Sequence, residues 1–216
     1  SYKYYQPANA SNANDEDRYN AFVAAITGGA EIIVTPGFLQ EAALKRVAAE
    51  YPDVKFVFID GYPLQDAAGN DLKNIAAVAF KEEQCGYLAG YAAVVEGNTK
   101  LGFTGGGAGT NPAVNRYGYG FVQGADAAAK AMNINIKINY VYGGQFFGDA
   151  DITAKMDTWY QGDTEIVFAC GGGIYKSAAE AAKKAGKKVI GVDVDQKAII
   201  DGAYGAGMTV TSAMKG

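Results

Sequence analysis

Residues 31–61 read EIIVTPGFLQEAALKRVAAEYPDVKFVFIDG, and residues 165–194 read EIVFACGGGIYKSAAEAAKKAGKKVIGVDV. Both run through the same parts in the same order: Glu, a short apolar run, a Gly-containing turn, an Ala-rich stretch, a second apolar run, Asp. Short apolar runs bounded by turn residues read as buried strands, and strands alternating with helical stretches read as a parallel α/β sheet. Glu31 to Asp60 and Glu165 to Asp193 differ in length by a single residue. A unit of this size written twice predicts two similar lobes.

The correspondence extends upstream of both copies. YKYYQ (2–6) matches IKINY (136–140), and NDEDRYNAFVAAITGG (14–29) matches the helix carrying Met156, Trp159 and Tyr160. In the first of these helices Tyr19, Phe22, Val23 and Ile26 fall on one face. Asn14 or Asp15 can cap its start and Gly28 or Gly29 its end. The second copy is preceded by a further strand, KLGFTGG (100–106), and a helix, PAVNRYGYGFVQGADAAAKAM (112–132). The first copy has no such pair ahead of it, so lobe one is expected to lack its opening strand and helix. That would leave a sheet edge or a groove exposed, and self-association, or a neighbour lending a strand, is expected there.

Composition removes several functions. The 216 residues are 49% hydrophobic and 19% charged, with a net charge of −4 and no Lys/Arg cluster, which excludes a sequence-independent grip on nucleic acid. Apolar runs such as IAAVAF (75–80) are broken by charge well short of membrane-spanning length, and no signal-peptide pattern is present. Histidine is absent, so the commonest general base and metal ligand are both missing. Cys85 and Cys170 form no C-x-x-C motif and read as buried small hydrophobes. TGGGAGT (104–110) misses the dinucleotide spacing, and no G-K-[ST] follows any Gly run. Neither an enzyme nor a cofactor nor a metal is expected.

Ligands of open parallel sheets bind outside the carboxyl ends of the strands. The loops there include TPGF with Phe38, DGYP with Asp60, TGGGAGTNP, YGGQFFGD, CGGGI and DVDQ. In KKVIGVDVDQ (187–196), Asp193 ends a strand and either caps the next turn or helix or accepts hydrogen bonds from ligand hydroxyls. Asp60 at the equivalent position favours the ligand. Of Phe146 and Phe147, one can fold into the core while the other offers a platform for a flat ring. Gly171 and Gly172 bring backbone close to a ligand or only make room for a turn. Asn115 and Arg116, at a helix start, reach the cleft, although Arg116 equally suits a solvated face.

FKEEQCGYLAGYAA (80–93), LGFTGG (101–106), NPAVNRYGYGFVQGA (111–125), GDTEIVFACGGG (162–173), VIGVDVDQ (189–196) and TVTSAMK (209–215) together resemble the basic membrane protein family. These are substrate-binding lipoproteins of ABC transporters, the purine nucleoside receptors among them. The resemblance spans nearly the whole chain. It implies a type I periplasmic-binding-protein fold of two doubly wound lobes, with residues 1–80 as lobe one, 81–213 as lobe two and 214–216 starting a return crossing. It further implies an extracytoplasmic protein, anchored by an N-terminal lipid, that closes on a nucleoside and delivers it to a permease. Phe146 resembles the base-stacking aromatic, with Phe147 as the alternative because this chain reads G-Q-F-F. Asp193 resembles the ribose-hydroxyl acceptor, Gly171 and Gly172 the glycines bordering the ligand, and Lys215 the lysine of a hinge segment. The family's opening strand and its D-x-S-F-N segment have no counterpart in this sequence. The same fold serving a pentose-like sugar, or a sensory ligand-binding domain, is the competing expectation.

Overall fold

The computed structural model describes residues 2–9 and 13–215; part of the QPANASNAN loop lies outside them. The chain divides into two compact units, Ser1–Phe80 and Lys81–Gly216. Among the described residues, no helix is long and apolar enough to cross a membrane.

Unit 1 contains α1 (Asp15–Thr27), β1 (Ile32–Pro36), a short 3-10 turn (Phe38–Gln40), α2 (Glu41–Glu50), β2 (Lys55–Ile59) and β3 (Ile75–Val78). Its strands are parallel in the order β1-β2-β3. α1 begins in a capping box: the Asn14 side chain accepts from the Asp17 N–H at 2.9 Å, and the Asp17 carboxylate accepts from the Asn14 N–H at 3.0 Å. Phe22, Leu44, Val47, Phe56 and Phe58 form the core between the helices and one sheet face. At the end of α2, the buried Asn74 amide donates to the carbonyls of Ala48, Tyr51 and Val54, which the helix itself leaves unpaired. The opposite sheet face is bare: Ile32 is 67% and Val34 59% exposed.

The strand expected at YKYYQ does not form. Residues 2–6 carry no regular structure and line the same groove as β1. A strand exists only as part of a ladder, and β1 does not pair with this segment.

Unit 2 contains α3 (Glu82–Val95), β4 (Lys100–Gly105), α4 (Pro112–Met132), β5 (Lys137–Tyr142), α5 (Ala150–Gln161), β6 (Ile166–Cys170), α6 (Tyr175–Ala185), β7 (Lys188–Asp193), α7 (Lys197–Tyr204) and β8 (Thr209–Met214). All five strands are parallel, in the order β5-β4-β6-β7-β8. α3 and α4 cover one face, where Leu101, Phe103, Phe121 and Phe168 interlock; α5 and α6 cover the other over Met156, Val167 and Ile174. Burial on both faces explains why β6 reads as an unbroken apolar run. α3 and α4 meet backbone to backbone through Gly86 and Gly90 on one helix and Gly120 and Gly124 on the other. A Cβ added at any of the four would lie within 2.2 Å of a carbonyl oxygen of the facing helix.

The two copies of the repeat share their register. Ile32 pairs with Lys55 between β1 and β2, as Ile166 pairs with Lys188 between β6 and β7. The aspartates after β2 and at the end of β7 also match in conformation, Asp60 with φ 72° and Asp193 with φ 66°.

Candidate functional site

The carboxyl ends of β4 to β8 in unit 2 bring most of the sequence candidates together. Phe146 is half-buried, and its ring lies against Gly106 and Gly107 after β4. A Cβ at Gly106 would come within 2.4 Å of the ring. The Phe146 carbonyl accepts from the Gly173 N–H at 2.8 Å, and Gly106 donates to the Cys170 carbonyl at 2.7 Å. Gly171, at φ 155°, comes so near that a Cβ there would meet the Gly106 Cα at 2.9 Å. The glycines therefore make a floor of backbone on which one aromatic ring rests, and a side chain at any of them would displace it. Phe147, paired only by an isolated bridge to Gly173, is 61% exposed.

Asp193 lies on the same rim. Its carboxylate is 3.1 Å from the Lys215 ammonium, and its carbonyl accepts from the Lys215 N–H at 3.0 Å. Capping falls to Asp195 instead, which accepts from the Lys197 N–H at 3.0 Å as α7 begins. Asp193 is thus tied sideways to the end of β8 rather than forward to the next helix. Gln196 links it to the glycine floor: the buried amide accepts from the Val192 N–H at 3.0 Å and donates to the Gly172 carbonyl at 3.3 Å.

Asn115 reaches the loops as expected, donating to the Gly109 carbonyl at 2.9 Å and accepting from the Tyr142 hydroxyl at 2.7 Å. Arg116 does not sit on a solvated face. It holds the Glu82 carboxylate through Nε at 2.8 Å and a terminal nitrogen at 2.5 Å, and Glu82 is itself fully buried at the start of α3. Asp60 and Phe38 belong to unit 1, at the ends of β2 and β1. Tyr142 and Gln196 were missed as site residues, although both stand in quoted strand-end segments. Their roles come from contacts that residue spacing does not carry.

Nothing here is equipped as a nucleophile. Burial, then the Asp193 charge, pushes the Cys170 thiol well up, so it stays protonated. Burial does the same to the Tyr117 hydroxyl, which donates to the Ala213 carbonyl at 3.1 Å. Among the described residues no group of three His, Cys, Asp or Glu side chains could hold a metal ion.

Parallel sheets with a strand-end rim of glycine backbone, one ring and one carboxylate define a class: binding proteins of the type I periplasmic fold. A solute-binding protein of an ABC transporter system from Aeropyrum pernix K1 shares that fold, with a TM-score of 0.66 at 21% identity over 84% of this chain and 51% of that one. A family model described as ABC transporter substrate-binding protein PnrA-like matches residues 2–216, and the chain belongs to that family, the basic membrane protein family. The ABC transporter nucleoside-binding protein BmpA of Lactococcus lactis is 29% identical over 205 residues, covering 91% of this chain and 54% of that protein. Basic membrane protein D of Borreliella burgdorferi is 34% identical over 174 residues, covering 78% and 48%. The chain spans about half the length of these relatives.

Proposed function

We propose that the protein is the extracytoplasmic substrate-binding component of an ABC importer and that its ligand is a nucleoside, a purine nucleoside before others. One observation carries the reading: a half-buried ring on a glycine floor stands on the same rim as a strand-end carboxylate, with Gln196 tying the two together. A flat base suits the ring, and a pair of ribose hydroxyls suits a carboxylate that is already oriented by a lysine. The nucleoside-binding name of the Lactococcus lactis relative supports the same ligand class. An ABC permease is the partner that would receive the nucleoside. The neutral, buried thiol and the lack of histidine favour capture over turnover.

Phe146→Ala and Asp193→Asn are each expected to weaken nucleoside binding by about 1–3 kcal/mol, the worth of one stacked ring or one charge-assisted hydrogen-bonded pair. Calorimetric titration with nucleosides, ribose and free bases reads both. Unchanged affinity in both variants removes the site assignment. Binding of ribose without any nucleoside would transfer the site to a sugar-like ligand and leave Phe146 without its stacking role.

A further inference from the structure

Unit 2 shows what the repeat looks like when filled. There β6 is bordered by β4, and β4 by β5. In unit 1, β1 stands where β6 stands, and residues 3–8 correspond by sequence to β5. Between them runs a groove of about 830 Å³, lined by the Tyr2–Tyr5 stretch, by α1 residues including Ala25, and by Glu31 to Pro36. We propose that this groove is a docking slot for one extended polypeptide segment. The segment would run parallel to β1 and lead into a helix that covers Ile32 and Val34, as β4 and α4 cover Ile166 and Phe168.

Three observations fit that occupant. Ile32 and Val34 are 67% and 59% exposed, whereas their counterparts Ile166 and Phe168 are fully buried, so the slot leaves apolar side chains and a sheet edge unpaired. Glu165 receives the start of β4, accepting from the Thr99 N–H at 2.6 Å and the Lys100 N–H at 2.9 Å. Burial opposes its ionisation, but those backbone donors outweigh it and hold the carboxyl below its usual range. Its counterpart Glu31 lines the groove, placed to receive the first amides of a docked strand in the same way.

The third observation specifies the sequence. The β4–β6 register sets Leu101 opposite Ile166 and Phe103 opposite Phe168, so the docked strand places apolar residues opposite Ile32 and Val34. Between them, Gly102 has no room for a side chain, because a Cβ would meet Trp159 at 3.0 Å. Trp159 lies three residues before the Gly162 cap of α5, and the residue three before the Gly28 cap of α1 is Ala25. The slot in unit 1 is therefore wider at this position and takes a branched residue where β4 must have glycine. A second copy has no spare strand of this pattern among its described residues: its β4 is buried in its own unit 2. The occupant is polypeptide outside residues 1–216.

A labelled synthetic peptide of residues 100–132 with the change Gly102→Val, titrated into the 216-residue chain, tests this by fluorescence anisotropy. Saturable binding is expected, several-fold tighter than that of the unchanged peptide, with slowed hydrogen exchange in β1. Val34→Lys and Glu31→Gln alter exposed side chains and should leave the fold intact while weakening the peptide by about tenfold or more, one apolar cross-strand pair or one carboxylate cap being lost. Absence of saturable binding, or binding indifferent to both substitutions, overturns the proposal. So does a dimer in sedimentation velocity that the peptide dissociates, since that would give the slot to a second copy.

Discussion

Gly90→Ala is expected to lower the stability of unit 2 by about 3 kcal/mol, the upper range for forcing an extra carbon into a closed interface. Alanine is the better helix former by about 1 kcal/mol, so propensity alone predicts the opposite sign. Geometry decides: the added Cβ would lie 2.0 Å from the Phe121 carbonyl oxygen, and backbone in a helix cannot swing aside as a side chain can. Gly124→Ala should behave alike, with the Tyr87 carbonyl oxygen at 1.9 Å. Gly202→Ala in α7 is the control, for nothing lies within 4 Å of its Cβ position. That substitution should stabilise by about 0.5–1 kcal/mol. Trp159, the only tryptophan of the chain, lies in α5 of unit 2, so its fluorescence during urea unfolding reports this unit. Gly90→Ala unfolding at the parent's midpoint would mean that α3 and α4 can separate at little cost.

Arg116→Ala carries the second large effect, a loss of about 3 kcal/mol, because breaking a buried ion pair strands the remaining charge. Glu82 is 1% exposed in its side chain and Arg116 30%, so the carboxylate is the deeper partner and bears the penalty. Glu82→Gln with Arg116→Met in one chain should recover part of the loss, since no buried charge is then left alone. The pair stands at the very start of unit 2, two residues past Phe80, and fastens the first turn of α3 to α4. Urea midpoints of the single and double variants decide it. A loss under about 1 kcal/mol for Arg116→Ala would show that other groups hold the Glu82 charge.

The fold was legible where local pattern and tertiary role agree. The duplicated strand–turn–helix–strand segments, the Asn14 cap and the apolar faces all came from spacing, because each element needs only its own periodicity. YKYYQ failed as a strand for the complementary reason: its pattern is right, but a ladder needs a neighbour that spacing does not supply. Arg116 suits a solvated face by spacing alone, because the carboxylate that holds it lies 34 residues away on another helix. Asp193 and Asp195 looked interchangeable on one strand face, and only the turn after β7 separates the residue tied to Lys215 from the one that caps α7. Phe146 and Phe147 divide in the same way, one seated among glycines from two other loops and one turned to solvent.

The left-handed backbone at Asp60 and Asp193 puts a conflict into the molecule. A residue with a side chain sits in that conformation at a cost of about 1 kcal/mol, which glycine would not incur. Selection for heat resistance alone would therefore favour Asp60→Gly and Asp193→Gly, the very changes that erase the carboxylates at the two strand ends. A thermostability screen of this scaffold needs a ligand-binding readout beside it, or its most stable variants will be the ones least able to hold anything.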